Sequence, residues 1–300
     1  MKLKTRVYID GYNLYYGRLK GTPFKWLNVH ALVFNQILPS ALLREGEHQC
    51  TFEAHEPAIN YFTAVISEKA ARDKDSVSSQ ATYHSALRNH LKNNIEIING
   101  YYSIAKTEAW QVDPIDEDTW PKNCNKVKIW KIEEKKSDVN LSLQAYHDSI
   151  TGQIDHAVFI TNDTDIAPSL SMIKQNTDVK IGLIIPSDKT RNPNKELVDL
   201  ADWKRTYITD AELQSSQLPR VIQGKRKANS KPISWYPYPM ELQKIIEAAK
   251  SVKPKIGMLF KWMEAPCEYL NGEKPIELIN TEQGCKQVLD YINVYVKQNK

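Results

Sequence analysis

Four aspartates stand where short apolar runs stop. Asp10 closes Val7-Tyr8-Ile9, Asp138 follows Ser137 at the head of Val139-Asn140-Leu141, and Asp163 and Asp165 follow Val158-Phe159-Ile160-Thr161. Such runs read as strands or as first turns of helices, and carboxylates placed repeatedly at their ends gather on one edge of a parallel sheet. Gathered carboxylates are hard oxygen donors that suit Mg2+ or Mn2+. Without a cation they repel one another, and one is driven to keep its proton. With one or two metals present, bound water becomes a nucleophile and the charge of a phosphoryl transition state is neutralised. The expected chemistry is phosphodiester hydrolysis by metal-bound water, without a covalent intermediate and with no side chain as general base. Asp10, Asp138, Asp163 and Asp165 are the expected metal ligands. Asn13 is placed to orient an aspartate or a water through its amide, and Thr161 through its hydroxyl.

Each residue also has a purely structural role open to it. Asp10 before Gly11 closes a turn, Asp138 favours a helix start through the dipole, and Asp163 caps the next helix. Their recurrence at strand ends is what favours a shared site.

The elements that must position them alternate along the first two thirds of the chain. Arg6–Asp10, Asn60–Ile66, Ile95–Ile98, Val127–Ile132, His156–Thr161 and Val179–Ile185 read as strands. Helices are expected from Asn28, as cap, through Ile37, and over 78–91, 138–150 and 166–175. This alternation predicts an α/β fold: a parallel sheet with right-handed crossovers, flanked by helices. The stretch 107–125, with Pro114, Pro121 and the acids Asp113, Asp116, Glu117 and Asp118, reads as a long surface loop. Around Leu218-Pro219 the pattern stops. The domains are expected at 1–220, with a basic linker at 221–239 and a small all-α domain at 240–300. In the last of these, helices are expected over 240–251 and 256–263, and from Thr281 as cap to about Val296.

Composition is that of an ordinary globular chain, 41% hydrophobic and 25% charged. No apolar run reaches bilayer-spanning length and no apolar segment follows the charged start, so a cytoplasmic protein is expected, with no membrane role. Cys50, Cys124, Cys267 and Cys285 form no Cys-x-x-Cys pair and read as reduced thiols. The net charge of +4 is uneven. Residues 220–261 carry ten Lys/Arg against two Asp/Glu, while the rest of the chain is slightly acidic. That block suits either phosphate contact or a solvated linker.

The run Val7-Tyr8-Ile9-Asp10-Gly11-Tyr12-Asn13-Leu14 resembles the opening motif of NYN domains, the PIN-like group that includes LabA-like proteins. Similar to the same family, in the same order, are Tyr61-Phe62-Thr63-Ala64, Gln80 with Tyr83, Glu133-Glu134-Lys135-Lys136-Ser137-Asp138-Val139-Asn140-Leu141, and Thr161-Asn162-Asp163-Thr164-Asp165-Ile166-Ala167-Pro168. The resemblance spans about residues 3–220. It implies a PIN-like Rossmannoid fold and a metal-dependent ribonuclease whose acidic site is Asp10, Asp138, Asp163 and Asp165, supported by Asn13. Where that family has glycine before Ser-Asp, this chain has Lys136. A side chain there either alters the approach to Asp138 or adds a phosphate contact. Towards the end, Lys261-Trp262-Met263-Glu264-Ala265-Pro266, Leu270-Asn271-Gly272-Glu273-Lys274-Pro275 and Thr281-Glu282-Gln283-Gly284 resemble the toxin-binding domain of ParS/MbcA/Xre antitoxins, over about 240–297. That resemblance implies a module for protein association, with itself or with a partner.

The expected protein is a ribonuclease using Mg2+ or Mn2+, with RNA as partner and DNA not excluded, in a defence or toxin–antitoxin-like setting. Lys135, Lys136, Lys225, Arg226 and Lys227 are the candidate phosphate contacts. The alternative is a catalytically silent nucleic-acid-binding or antitoxin-like adaptor.

Overall fold

The computed structural model describes residues 1–69, 71 and 73–298. The chain divides into two compact units. One is built from residues 1–18, 27–218 and 222–229, the other from 19–26, 219–221 and 230–300.

The first unit is α/β. Seven strands form one sheet: β1 (Lys2–Asp10), β2 (Thr51–Ala64), β3 (Ile95–Trp110), β4 (Lys126–Lys135), β5 (His156–Ile160), β6 (Lys180–Ile184) and β7 (Trp203–Arg205). Their order is β4-β3-β2-β1-β5-β6-β7. Every neighbouring pair is parallel except β3 with β4. β5 is buried along its whole length and β6 along all but its first residue, as befits apolar runs covered on both faces. The helices flanking this sheet are α1 (Ser76–Leu91), α2 (Ser137–Ile150), α3 (Ala167–Asn176), α4 (Lys195–Leu200) and α5 (Asp210–Ser215). A core of Phe159, Leu170, Leu183, Leu197 and their neighbours lies against the sheet, with the Tyr8 ring stacked on Phe159 at 5.3 Å.

Two features depart from the sequence reading. The expected strand over 127–132 is longer and antiparallel to its neighbour, and β3 runs on to Trp110, so residues 107–110 belong to a strand. Only the first part of β3, Ile95 to Gly100, pairs with β2. From Tyr101 onward it leaves the parallel sheet and forms a two-stranded ribbon with β4, Tyr101 opposite Lys135 and Trp110 opposite Lys126.

Asn28 caps the helical segment that begins at Val29 by accepting from the Ala31 amide at 3.0 Å. Gln80 and Tyr83 serve the scaffold. Gln80 bonds the Ala64 carbonyl and the Ile66 amide just beyond β2, and the Tyr83 hydroxyl donates to the Leu27 carbonyl.

The second unit is helical, with α6 (Pro239–Ala249), α7 (Ile256–Met263), α8 (Pro275–Leu278) and α9 (Glu282–Gln298). Its core joins Leu242, Ile245, Leu259, Met263, Val288 and Ile292. Thr281 accepts from the Gly284 amide at 3.0 Å, and Gly272 takes the positive φ of 77° that closes the turn before α8. Trp26, from the segment 19–26, donates to the Pro219 carbonyl at 2.9 Å and meets Trp235 edge to face. Among the described residues no helix is long and apolar enough to cross a membrane, and all four cysteines are free.

Candidate functional site

Strand register builds the site. Ile9 of β1 lies opposite Ile160 of β5, so the next residues, Asp10 and Thr161, meet at the carboxyl edge of the sheet. The Thr161 hydroxyl donates to Asp10 Oδ2 at 3.0 Å. Asp10 also caps the helical turn Gly11–Leu14, accepting from the Asn13 backbone amide at 2.9 Å and from Asn13 Nδ2 at 2.7 Å. Asn13 Oδ1 in turn accepts from the Asn162 amide at 3.4 Å, and the Asp163 amide donates to Thr161 Oγ1 at 3.1 Å. Asp163 caps the turn Thr164–Ile166 by accepting from the Asp165 amide. Asp165 itself is exposed.

The remaining acids arrive from the other side of β1. Antiparallel pairing returns β4 to the same sheet edge, and Gly100 makes room for it: a Cβ there would collide with the Lys135 carbonyl. The chain then turns through Lys136, at φ 77°, into α2, which carries Asp138 in its first turn. The far end of α2 is pinned to β1. Asp148, fully buried, pairs with Arg6 at 2.7 Å and accepts from the Tyr8 hydroxyl at 2.7 Å and from Gln144 at 2.8 Å. A buried ion pair of this kind holds because its hydrogen-bonding capacity is filled. It fixes the helix whose opposite end presents Asp138.

Charge accumulates here. Burial raises the Asp10 carboxyl, partly countered by its hydrogen bonds from Asn13 and Thr161. Asp138 is pushed up to about 6, by burial first and then by Asp10, Asp163, Glu134 and Asp165. Glu134 is raised by burial and by Asp10, against the hydrogen bond it accepts from Ser137. Tyr61, raised by burial and then by Asp10 and Glu134, stays a neutral donor beside them. Tyr102 is raised by burial, then by Glu134, Tyr16 and Tyr12, which puts an aromatic group against the acids. Tyr12 and Tyr16 pack ring on ring at 4.4 Å, each 44% exposed.

The structure thus brings Asp10, Asn13, Asp138, Thr161 and Asp163 together, with Asp165 at the rim. Lys136 stands next to this group with its ammonium over the Tyr101 ring at 5.3 Å, and Lys135 pairs with Glu133 at 3.0 Å. Lys225, Arg226 and Lys227 are exposed on the segment 223–228 and make no hydrogen bond or ion pair with the acids among the described residues. Glu134, Tyr61, Tyr102, Tyr12 and Tyr16 join the site without having been expected there from sequence. The spacing of four between Tyr12 and Tyr16 was a legible sign of one helical face. Glu134 gave no sign, because only the antiparallel return of β4 carries it to the site.

Residues 259–294 match the antitoxin Xre/MbcA/ParS C-terminal toxin-binding domain. Over nearly its whole length the chain is similar to 6-hydroxy-3-succinoylpyridine 3-monooxygenase HspA of Pseudomonas putida, at 51% identity across 301 residues, covering 99% of this chain and 96% of that one. The chain belongs to the family of that monooxygenase. A crystal structure of a protein of unknown function from Vibrio parahaemolyticus shares 16% identity over 70% of this chain and 94% of its own, with a TM-score of 0.35, a likeness too slight to carry an argument.

Membership in the monooxygenase family corrects the functional expectation. A metal-dependent ribonuclease, or any phosphodiester hydrolase, is overturned by a full-length relative that is an oxidoreductase. The Mg2+ or Mn2+ assignment falls with it. Among the described residues no three His, Cys, Asp or Glu side chains are grouped to hold a metal ion. Aspartates at strand ends serve proton chemistry as readily as metal binding, and the sequence pattern alone is the same for both.

A monooxygenase implies an electron donor, and the first turn tests one common way of holding it. A dinucleotide pyrophosphate sits on free amides at the helix N-terminus after β1, approached through a Gly-x-Gly-x-x-Gly turn. Here the turn reads Asp10-Gly11-Tyr12-Asn13-Leu14-Tyr15, and the Asp10 carboxylate already caps it. These residues do not fit a pyrophosphate at that position.

Proposed function

We propose that this chain is a monooxygenase that hydroxylates a hydroxypyridine carrying a carboxylate-bearing side chain. The observation that carries this reading is 51% identity to the 6-hydroxy-3-succinoylpyridine 3-monooxygenase over 99% of this chain and 96% of that one. Carbon 3 of that substrate already carries the acyl chain. In the balanced reaction one atom of dioxygen enters the ring there and the other leaves as water, with two electrons from a hydride donor such as reduced nicotinamide. The bond between ring and acyl carbon breaks, and the acyl group passes to water and departs as a carboxylic acid.

The acidic site suits such a substrate. A hydroxypyridine offers O–H or N–H donors, which carboxylates accept, whereas a phosphate would be repelled by Asp10, Asp138, Asp163 and Glu134. Asp138, with its pKa near 6, is the base: it takes the ring proton. In a 6-hydroxypyridine, carbon 3 lies para to the ring oxygen, so loss of that proton raises electron density at the position where the relative's name places the new oxygen. Asp10, held by Asn13 and Thr161, orients the ring through a second hydrogen bond. Tyr12 and Tyr16 give a flat ring a face to stack on. Lys136, at the mouth, pairs with the side-chain carboxylate.

The NYN likeness of the first unit is retained as a statement about scaffold, with its acidic strand ends turned from hydrolysis to proton transfer. Residues 230–300 are assigned to protein association, supported by the toxin-binding-domain match over 259–294. Free cysteines support a cytoplasmic setting.

The test is to supply purified protein with 6-hydroxy-3-succinoylpyridine, reduced nicotinamide and isotopically labelled dioxygen, with and without added flavin. One labelled oxygen per product, lost in Asp138→Asn, is expected. Absence of label from every product, with nicotinamide oxidation indifferent to substrate, would overturn the reading.

A further inference from the structure

Among the described residues of the first unit, Tyr8, Tyr61 and Tyr83 are the buried tyrosines. Two of them commit their hydroxyls to the scaffold. Tyr8 donates to Asp148 at 2.7 Å, and Tyr83 donates to the Leu27 carbonyl at 2.8 Å. Tyr61 is only 5% exposed, yet among the described residues its hydroxyl makes no hydrogen bond. Burying a hydroxyl without a partner is costly, so one left unpaired in a folded protein calls for a functional account. Tyr61 lies on β2 opposite Ile9, the residue before Asp10. Its ring reaches the turn after β1. A Cβ on Gly11 would come within 2.8 Å of Tyr61 Cε1 and 3.0 Å of Cζ, the carbon that bears the hydroxyl. Glycine at position 11 therefore lets this phenol lie beside the Asp10 turn. The ring also meets His84 of α1 edge to face at 6.1 Å. Burial, then the charges of Asp10 and Glu134, keep the phenol proton in place well above neutral pH. His84, lowered to about 4 by burial and by Arg88, is uncharged there.

Other donors of the site are already taken. The Asn13 side-chain amide and the Thr161 hydroxyl go to Asp10, and the Ser137 hydroxyl goes to Glu134. A substrate ring that gives up its proton here becomes an anion among carboxylates, which repel it. Its oxygen then needs a neutral donor that keeps its own proton. We propose, resting on the monooxygenase reading, that Tyr61 is a catalytic residue whose hydroxyl donates to the ring oxygen of the hydroxypyridine and holds the anion left when Asp138 takes the ring proton. The proton moves from the ring to an Asp138 oxygen. The electron pair it leaves is shared between the ring and its oxygen, and the Tyr61 O–H bond stays whole. A donor already in place needs no rearrangement as charge develops on that oxygen. The same contact selects substrate, since a pyridine without the ring oxygen leaves the hydroxyl unpaired and binds poorly. Tyr102 feels Glu134 as well but is only half-buried, so solvent can satisfy its hydroxyl.

The probe is 6-hydroxy-3-succinoylpyridine bound to the full chain without reductant, its ultraviolet absorbance followed against pH. Wild type, Tyr61→Phe and Tyr102→Phe are compared. In Tyr61→Phe the bound ring is expected to ionise about one to two pH units higher, which is the loss of one hydrogen bond to a charged group. With reductant and dioxygen, kcat/KM is expected to fall about 10–100-fold at neutral pH. The unfolding midpoint of substrate-free Tyr61→Phe should match or exceed that of the wild type, because no bond within the chain is lost. A clear fall in that midpoint would mean that the hydroxyl serves the fold, and would overturn the proposal. So would a bound ring that ionises at the same pH in Tyr61→Phe while labelled oxygen still enters the product. That result removes Tyr61 and leaves the monooxygenase reading standing. A shift in Tyr102→Phe alone would give the role to Tyr102 instead. A wild type that neither binds nor oxygenates the pyridine would overturn the reaction itself, and this assignment with it.

Discussion

Asn13 holds Asp10 twice, once through its backbone amide at 2.9 Å and once through its side-chain amide at 2.7 Å, so a single residue satisfies both carboxylate oxygens. Both bonds favour the charged carboxylate and oppose the burial that raises it. Replacing Asn13 by Ala removes the side-chain bond and leaves the backbone one. The Asp10 pKa rises and its hold on the substrate ring loosens, so KM is expected to rise, with a stability loss of about 1 kcal/mol. Steady-state kinetics beside a urea titration check both. An unchanged KM would remove Asp10 from substrate orientation.

Asp138 carries the clearest pH signature. As a base with a pKa near 6, it is active only above that value, so kcat/KM is expected to fall tenfold per pH unit below about 6. Asp138→Asn should lower kcat by about 10²–10⁴-fold and abolish that limb. An unchanged limb in the variant would assign it to another group.

Lys136 sits at φ 77°, where a Cβ is strained. Lys136→Gly should therefore stabilise the fold by about 1 kcal/mol. The same change removes the cation proposed to meet the substrate carboxylate, so KM should rise while kcat changes little. Thermal unfolding and steady-state kinetics on one variant separate the two effects. A KM unaffected by the change would place the carboxylate elsewhere.

Asp148 is the anchor of α2. Asp148→Ala leaves Arg6 charged and buried without its partner, at a cost of about 3–5 kcal/mol. Because the other end of that helix bears Asp138, activity should fall by more than the loss of folded protein explains. Denaturant unfolding together with activity per folded molecule decides it.

His156 sets acid stability. Trp203 Nε1 donates to its Nε2 at 2.8 Å, which leaves the ring proton on Nδ1, 3.0 Å from the Thr5 hydroxyl. Thr5 passes its own proton to the Leu3 carbonyl. Burial lowers the His156 pKa to about 3, against 6.5 for the free side chain. The folded state therefore binds fewer protons than the unfolded state between these values. The stabilising contribution is complete above about pH 6.5 and is lost as pH falls towards 3, by a few kcal/mol in all. Urea midpoints at pH 7 and pH 4.5 should differ strongly in the wild type and less in His156→Gln.

The parallel sheet was legible in the chain because its central strands are continuous apolar runs. The meeting of Asp10, Thr161 and Asp163 was legible because all three close such runs. Other parts were not. β4 has the exposed, Lys-rich alternation of an edge strand, and nothing in that pattern says whether it runs parallel or antiparallel. Without the direction, Glu134 reads as surface charge. The reaction was misread for a different physical reason. A cluster of carboxylates is equally a ligand set and a set of bases. Nothing in the residue types or their spacing separates the two.

The make-up of the second unit bears on how the chain is born. Trp26, wholly buried in the finished protein, donates to a carbonyl 193 residues downstream at Pro219. At ribosomal speeds of about 5–20 residues per second, that partner follows roughly 10–40 s later. Trp235, which packs against the same indole, comes later still. Throughout that interval the nascent chain carries an uncovered tryptophan, a natural handle for a chaperone. For the same reason, a gene fragment starting at residue 230 encodes the helices of this unit without the segment 19–26 that the unit also contains.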